Sequence, residues 1–254
     1  MVGRVEEYLL GEIESAGGIH ITLIDPEKTD PSAASRIARE AESSRTAAIM
    51  IGGSTLASTQ HLDKVVKATK EAVDLPVILF PNNITGISRH ADALWFMSLL
   101  NSGDPYFITG AQVLSAPIIR RFKLEAIPLG YVIIGEGSAA SVVGKAYPIP
   151  YNQPELAAAH ALAAQYLGMH FVYLEAGSGA SQTVPSEMIR TVKEFVQIPV
   201  IVGGGIKTGK QARAIAVAGA DIIVTGTIVE ESKVKETVND LVKNIRYHTR
   251  TKKA

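Results

Sequence analysis

Five short segments of this chain have the types and spacing to do chemistry together. Asp25 opens the segment Asp25-Pro26-Glu27-Lys28, and Ser54 closes Gly52-Gly53-Ser54. Later come Glu175-Ala176-Gly177-Ser178-Gly179, then Gly203-Gly204-Gly205, then Gly226-Thr227. Glycine lets backbone N–H groups approach an anion closely, and a helix starting just beyond adds the positive end of its dipole. Any one such turn serves equally well as a tight connection, but three in succession point to phosphate. Asp25 and Ser54 are oxygen donors of the kind magnesium uses, since that ion keeps several waters and takes one or two protein ligands beside substrate phosphates. A plainer reading also fits them, with Asp25 in a turn before Pro26 and Ser54 capping the next helix. Glu175 can accept a hydrogen bond from a bound hydroxyl, act as a general base, or sit in a buried ion pair.

These residues come together only if the chain places strand ends side by side. Short β-branched runs alternate with longer amphipathic segments throughout, the pattern of βα units and a parallel sheet. Eight strands are predicted, at 19–24, 48–51, 77–80, 93–98, 127–134, 171–175, 200–203 and 222–225. Helices are predicted at 31–43, 59–73, 154–167, 186–195, 210–218 and 231–247 by apolar spacing. Asp30 before Pro31 is an N-cap signal, and Gly168 and Gly219 stand where left-handed C-terminal turns belong. No linker or low-complexity stretch divides the 254 residues. The expectation is an α/β protein, one (β/α)8 TIM barrel over residues 1–254, a usual size for that fold. In such a barrel the site lies at the C-terminal ends of the strands, often with phosphate at the loops after strands seven and eight. Asp25, Ser54, Glu175 and the glycine turns all follow strand cores. After the third strand, FPNNITGISRHADA is too short for a full crossover helix, so that helix is predicted to be missing or reduced to a turn.

Composition narrows the partners. Lys and Arg number 25 against 25 Asp and Glu, for a net charge of zero. Without a basic tract there is no footprint for nucleic acid and no polybasic segment for anionic lipid. The absence of cysteine excludes disulfides, thiolate zinc sites and cysteine nucleophiles. Arg4, Glu6 and Glu7 interrupt the apolar core a secretory signal needs, and a cytoplasmic protein is expected. The most apolar stretch, Ala93 to Leu100, is far short of the roughly 20 residues that cross a bilayer, and its Trp95, Phe96 and Met97 read as core. His20, at the start of the first strand, is expected at the face opposite the site, in a structural role. The other histidines lack ligand spacing, so a catalytic zinc is not expected.

Taken together, ITLIDPEK, MIGGST, FVYLEAGSGA, IVGGGIKTGKQA and GADIIVTGTIVE resemble the geranylgeranylglyceryl phosphate synthases of archaea. The likeness to the bacterial heptaprenylglyceryl phosphate synthases is more distant. The resemblance spans essentially the whole chain, including HADALWFMSLLNSGDPYFITGAQ. It implies a modified barrel that has lost its third helix. It also implies transfer of a geranylgeranyl group from its diphosphate to the 3-hydroxyl of sn-glycerol 1-phosphate, the first ether bond of archaeal membrane lipids. Carried over residue by residue, the glycerol phosphate site comprises Tyr173, Leu174, Glu175, Ala176, Gly177, Ser178, Gly179, Gly204, Gly205, Gly226 and Thr227. Magnesium falls to Asp25 and Ser54, Glu175 orients or deprotonates the attacking hydroxyl, and Lys28 helps hold the diphosphate. Homo-oligomers, dimers or hexamers, are implied as well. The aspartate-rich DDxxD motif of many prenyl transferases is absent, as suits this family, and Asn82 stands where many relatives carry glycine. The alternatives are a longer, heptaprenyl donor, another phosphate-binding barrel enzyme such as a sugar-phosphate isomerase, and a non-enzymatic binding barrel.

Overall fold

The computed structural model describes residues 2–55, 58–226 and 233–252. Eight parallel strands run in chain order: β1 (Ile19–Ile24), β2 (Ala48–Ile51), β3 (Val77–Leu79), β4 (Ala93–Leu99), β5 (Glu125–Ile133), β6 (Phe171–Glu175), β7 (Val200–Gly203) and β8 (Ile222–Thr225). Each pairs with the next, and β8 pairs with β1 to close the barrel. Alternation along the strands sorts their side chains into two layers. Ile21, Met50, Ile78, Trp95, Leu129 and Phe171 fill the interior. Ile24, Ile49, Ile51 and Leu79 face outward on one side of the wall and Val172, Leu174 and Val202 on the other, packing beneath the helices.

The helices of the outer ring begin and end where their local chemistry dictates. Asp30 accepts hydrogen bonds from the Ser32 and Ala33 amides and Pro31 supplies a preset φ, starting α2 (Pro31–Ser43). The helix α3 (Thr59–Lys70) is capped by Ser58, whose side chain accepts from the His61 amide, so Ser54 is released from the capping role. Pro154 starts α6 (Pro154–Tyr166), which ends just before left-handed Gly168, and α7 (Ser186–Phe195) follows. Thr208 and Gln211 form a capping box on α8 (Gly209–Ala218), which closes on left-handed Gly219. The last helix, α9 (Val234–Lys252), starts later than expected, and Glu231 lies outside the described residues.

Four elements had no sequence expectation. The helix α1 (Arg4–Ala16) brings Val5 and Leu9 into the interior cluster, and the Glu125 carboxylate at the start of β5 accepts the Val5 and Glu6 amides at 2.8 Å each. That covers the end of the barrel at which the strands begin. A π-helical turn (Tyr106–Gly110) leads into α4 (Ala111–Phe122), and a short α5 (Ala139–Val143) follows β5. The third crossover has the expected irregularity: between β3 and β4 there is only a 3-10 turn, Ile84–Gly86. That crossover therefore contributes no full helix to the outer layer, and α4 packs beside the turn and against β4.

Candidate active site

At the end of β1, Asp25 bends the chain into a turn. Its Oδ1 accepts the Glu27 amide at 3.0 Å, and Lys28 Nζ lies 3.6 Å from Oδ2. The turn reading of Asp25 therefore holds, but it leaves capacity, because a carboxylate offers about four lone-pair sites. Asp25 packs against the Gly52-Gly53 turn so closely that a Cβ on Gly53 would fall 2.6 Å from Oδ1. That approach brings the β1 and β2 ends together and puts Asp25 and Ser54 on the wall of one cavity. Asn82, from the loop after β3, donates its amide to the Ser54 carbonyl at 3.2 Å. Among the described residues no three His, Asp or Glu side chains cluster as a cage. One carboxylate and one hydroxyl suit a hard cation whose shell is completed by water and substrate phosphate, so the donor set fits magnesium.

Across the mouth, β6 ends in Glu175, which is 8% exposed. The Gly177 amide donates to its Oε1 at 2.6 Å, and the Tyr173 hydroxyl also hydrogen-bonds to it. Burial raises the Glu175 pKa above its ordinary value, and these two donors hold back part of the rise. Burial, with Glu175 nearby, also keeps the Tyr173 and Tyr131 hydroxyls protonated, well above their ordinary range. Among the described residues no ion pair accounts for Glu175; its described partners are a hydroxyl and an amide.

The glycine turns have the backbone the anion reading needs. Gly177 and Gly179 have φ of +104° and +72°, and Gly204 and Gly205 have +87° and +69°. At Gly204 the requirement is double, since a Cβ would also meet Gly177 N at 2.5 Å and Glu175 Oε1 at 2.6 Å. Ser178, Gly179, Gly204, Gly205 and Gly226 line the same cavity as Asp25 and Ser54. Tyr173 and Glu175 point into it, whereas alternation sends Leu174 and Ala176 into the outer core, where they serve the site as backbone. Thr227 lies outside the described residues.

The cavity, about 520 Å³, extends beyond these groups into an apolar groove. Ile87, Leu94, Phe96, Phe107 and Ala111 line it, between the helix-less third crossover and the start of α4. Phe96 and Met97 are thus half-buried cavity walls, while Trp95, buried in the core at 1% exposure, also borders the cavity. Phe80, Tyr131 and Tyr173 form a ring cluster with centroids 5.3 to 5.6 Å apart. Sequence reasoning missed Phe80, Tyr131, the residues that line the groove, and Lys207, which lines the mouth beside Gly205. For Tyr131 a signal existed, since it shares the inward face of β5 with Ile127 and Leu129.

Comparison with known proteins adds an independent line. The chain is 54% identical over 247 residues to the geranylgeranylglyceryl phosphate synthase of Thermofilum pendens, covering 97% of this chain and 96% of that one. It is 54% identical over 245 residues to the synthase of the same name from Pyrococcus abyssi, covering 96% and 97%. The crystal structure of (S)-3-O-geranylgeranylglyceryl phosphate synthase from Thermoplasma acidophilum, in complex with sn-glycerol-1-phosphate, superposes with a TM-score of 0.93. It shares 44% identity, over 97% of this chain and 100% of that one. Residues 12–245 match the PcrB family. With the family match and the relatives in agreement along nearly its whole length, the chain belongs to the PcrB family.

Proposed function

We propose that the protein joins the 3-hydroxyl of sn-glycerol 1-phosphate to the first carbon of geranylgeranyl diphosphate, forming an ether and releasing diphosphate. One observation carries the reading: a single cavity is lined by glycine turns, by a buried carboxylate, by Asp25 and Ser54, and by the walls of an apolar groove. An isomerase of small sugar phosphates has no use for that groove. The names of the relatives and the glycerol phosphate bound in the Thermoplasma acidophilum enzyme support the same reading.

The residues divide the work. Amides of the turns after β6, β7 and β8 hold the glycerol phosphate, fixing the reactive hydroxyl near Glu175. Glu175 takes the hydroxyl proton, and its raised pKa matches that task better than an ordinary carboxylate. The new carbon–oxygen bond forms as the bond to diphosphate breaks, with the electron pair leaving on the diphosphate. Asp25 and Ser54 would hold magnesium, which when bound offsets the charge gathering on that leaving group. Lys28, tethered to Asp25 by a half-exposed ion pair, adds a cation on the same side. The groove walls bury the prenyl chain, and the rings of Phe80, Tyr131 and Tyr173 offer electron-rich faces to positive charge on the allylic carbon. Among the described residues no helix is long and apolar enough to cross a membrane.

The test is incubation with sn-glycerol 1-phosphate and radiolabelled prenyl diphosphates of several lengths, with magnesium and with a chelator. Ether product from the geranylgeranyl donor, lost with the chelator, is expected. No ether from any donor would sink the proposal, and preference for a heptaprenyl donor would move it to the longer-chain reaction.

A further inference from the structure

His20 stands at the second position of β1, yet it is tied to the phosphate end of the site. β8 is only four residues long, and its last residue, Thr225, lies in register with Thr22 in the body of β1. The outward-facing side chain of His20 therefore reaches diagonally to Thr225, with Nε2 2.9 Å from the threonine Oγ1. Its Nδ1 lies 3.0 Å from Thr46 Oγ1. The Thr46 hydroxyl donates to the His20 carbonyl at 3.0 Å and accepts from the Thr22 hydroxyl at 3.2 Å. One proton arrangement satisfies all four groups: Nδ1–H donates to Thr46, and Nε2 accepts the Thr225 hydroxyl proton. His20 and Thr225 are 2% and 4% exposed, so water does not replace a lost partner there.

We infer that His20 is a positioning residue for glycerol phosphate, acting through Thr225. Thr225 immediately precedes Gly226, which lines the cavity in the turn assigned to the phosphate. A backbone amide binds an anion well only if its direction is fixed before the ligand arrives. Thr225 itself borders the cavity, and its side chain is anchored from behind the barrel wall by His20, which does not line the cavity. The inference rests on the proposed function and gives His20 a specific place in it: it sets affinity for the phosphate substrate and leaves the prenyl donor alone.

The test is equilibrium binding of sn-glycerol 1-phosphate, inorganic phosphate and geranylgeranyl diphosphate, each titrated separately into the full-length protein. Thr225→Val and His20→Phe are each expected to weaken glycerol phosphate and inorganic phosphate on the order of 10-fold, the size of one lost buried hydrogen bond. Affinity for the prenyl diphosphate should not move, Thr225→Ser should restore wild-type binding, and the double variant should be no weaker than the worse single one. Wild-type phosphate affinity in either single variant, or equal weakening of all three ligands, overturns the inference. Should His20→Phe fail to fold, the Thr225→Val and Thr225→Ser pair decides on the same criteria. If the wild-type protein binds inorganic phosphate but no glycerol phosphate, the substrate reading falls, while the variants still test the role of His20.

Discussion

Glu175 has a raised pKa because burial outweighs the two hydrogen bonds that favour its charged form. Only the ionised carboxylate accepts a proton, so turnover should fall as the pH drops through that raised pKa. The acid limb of kcat/KM should then lie above the ordinary value of 4.5. Glu175→Gln should lower kcat by roughly 100-fold or more and abolish that limb; an unchanged pH profile would remove Glu175 from the proton transfer. Asp25→Ala should abolish turnover while glycerol phosphate still binds, and calorimetry showing loss of both would put Asp25 on the wrong side of the mouth. Ser178→Glu places a carboxylate beside Gly177 and Gly179, and glycerol phosphate affinity should fall by at least about 10-fold, the cost of about 1.4 kcal/mol of repulsion. Asp25, Ser54, Glu175 and the glycines were legible because each follows a β-branched run. Phe80 was not, and Tyr131 was legible only as an inward-facing residue of β5, since nothing in a strand's own alternation says which interior residues reach a cavity.

At the scale of elements, the missing third helix matters most. A short crossover can be counted in the sequence, but its consequence depends on what covers the outward face of β4. The answer comes from the π-helical turn and α4, which approach from the far side and leave Leu94 and Phe96 facing a groove. Ala111, the first residue of α4, lines that groove. Ala111→Trp should fill it, raising KM for the prenyl donor on the order of 10-fold, from the apolar contact area denied to the chain, while glycerol phosphate binding stays as it is. Equal effects on both substrates would argue against the groove as the donor site. The strands β1, β2, β6, β7 and β8 were readable to their ends because near-continuous apolar runs stop at polar or glycine turns. By contrast α4 starts from a π turn at Gly110 and carries Pro117 inside, and α5 has only five residues, so neither makes a clear helical period.

For the whole molecule, the balance of 25 basic and 25 acidic residues means that anions must be held by local devices and not by a general positive field. The barrel supplies them in the form of oriented amides and a few placed side chains at the end where the strands finish, while α1 covers the other end. The fold's stability carries its own pH signature. Burial lowers the His20 pKa from 6.5 to about 3. An unfolded chain takes up a proton near 6.5 that folded His20 refuses until about 3, so stability is full above that window and declines as the pH falls through it. His20→Phe should be less stable near neutrality but lose less stability on acidification across that window, as read from urea midpoints; a parallel decline would show that His20 titrates normally. The sequence by itself determined the barrel, the strand ends, the absent helix and the residues at the mouth, because these follow from local hydrophobic period and turn chemistry. Tertiary structure decided which side chains share a cavity, that β4 turns an outer face to a groove, and that His20 reaches the phosphate end. Those outcomes depend on strand register and on helices arriving from distant parts of the chain, and no local pattern encodes either.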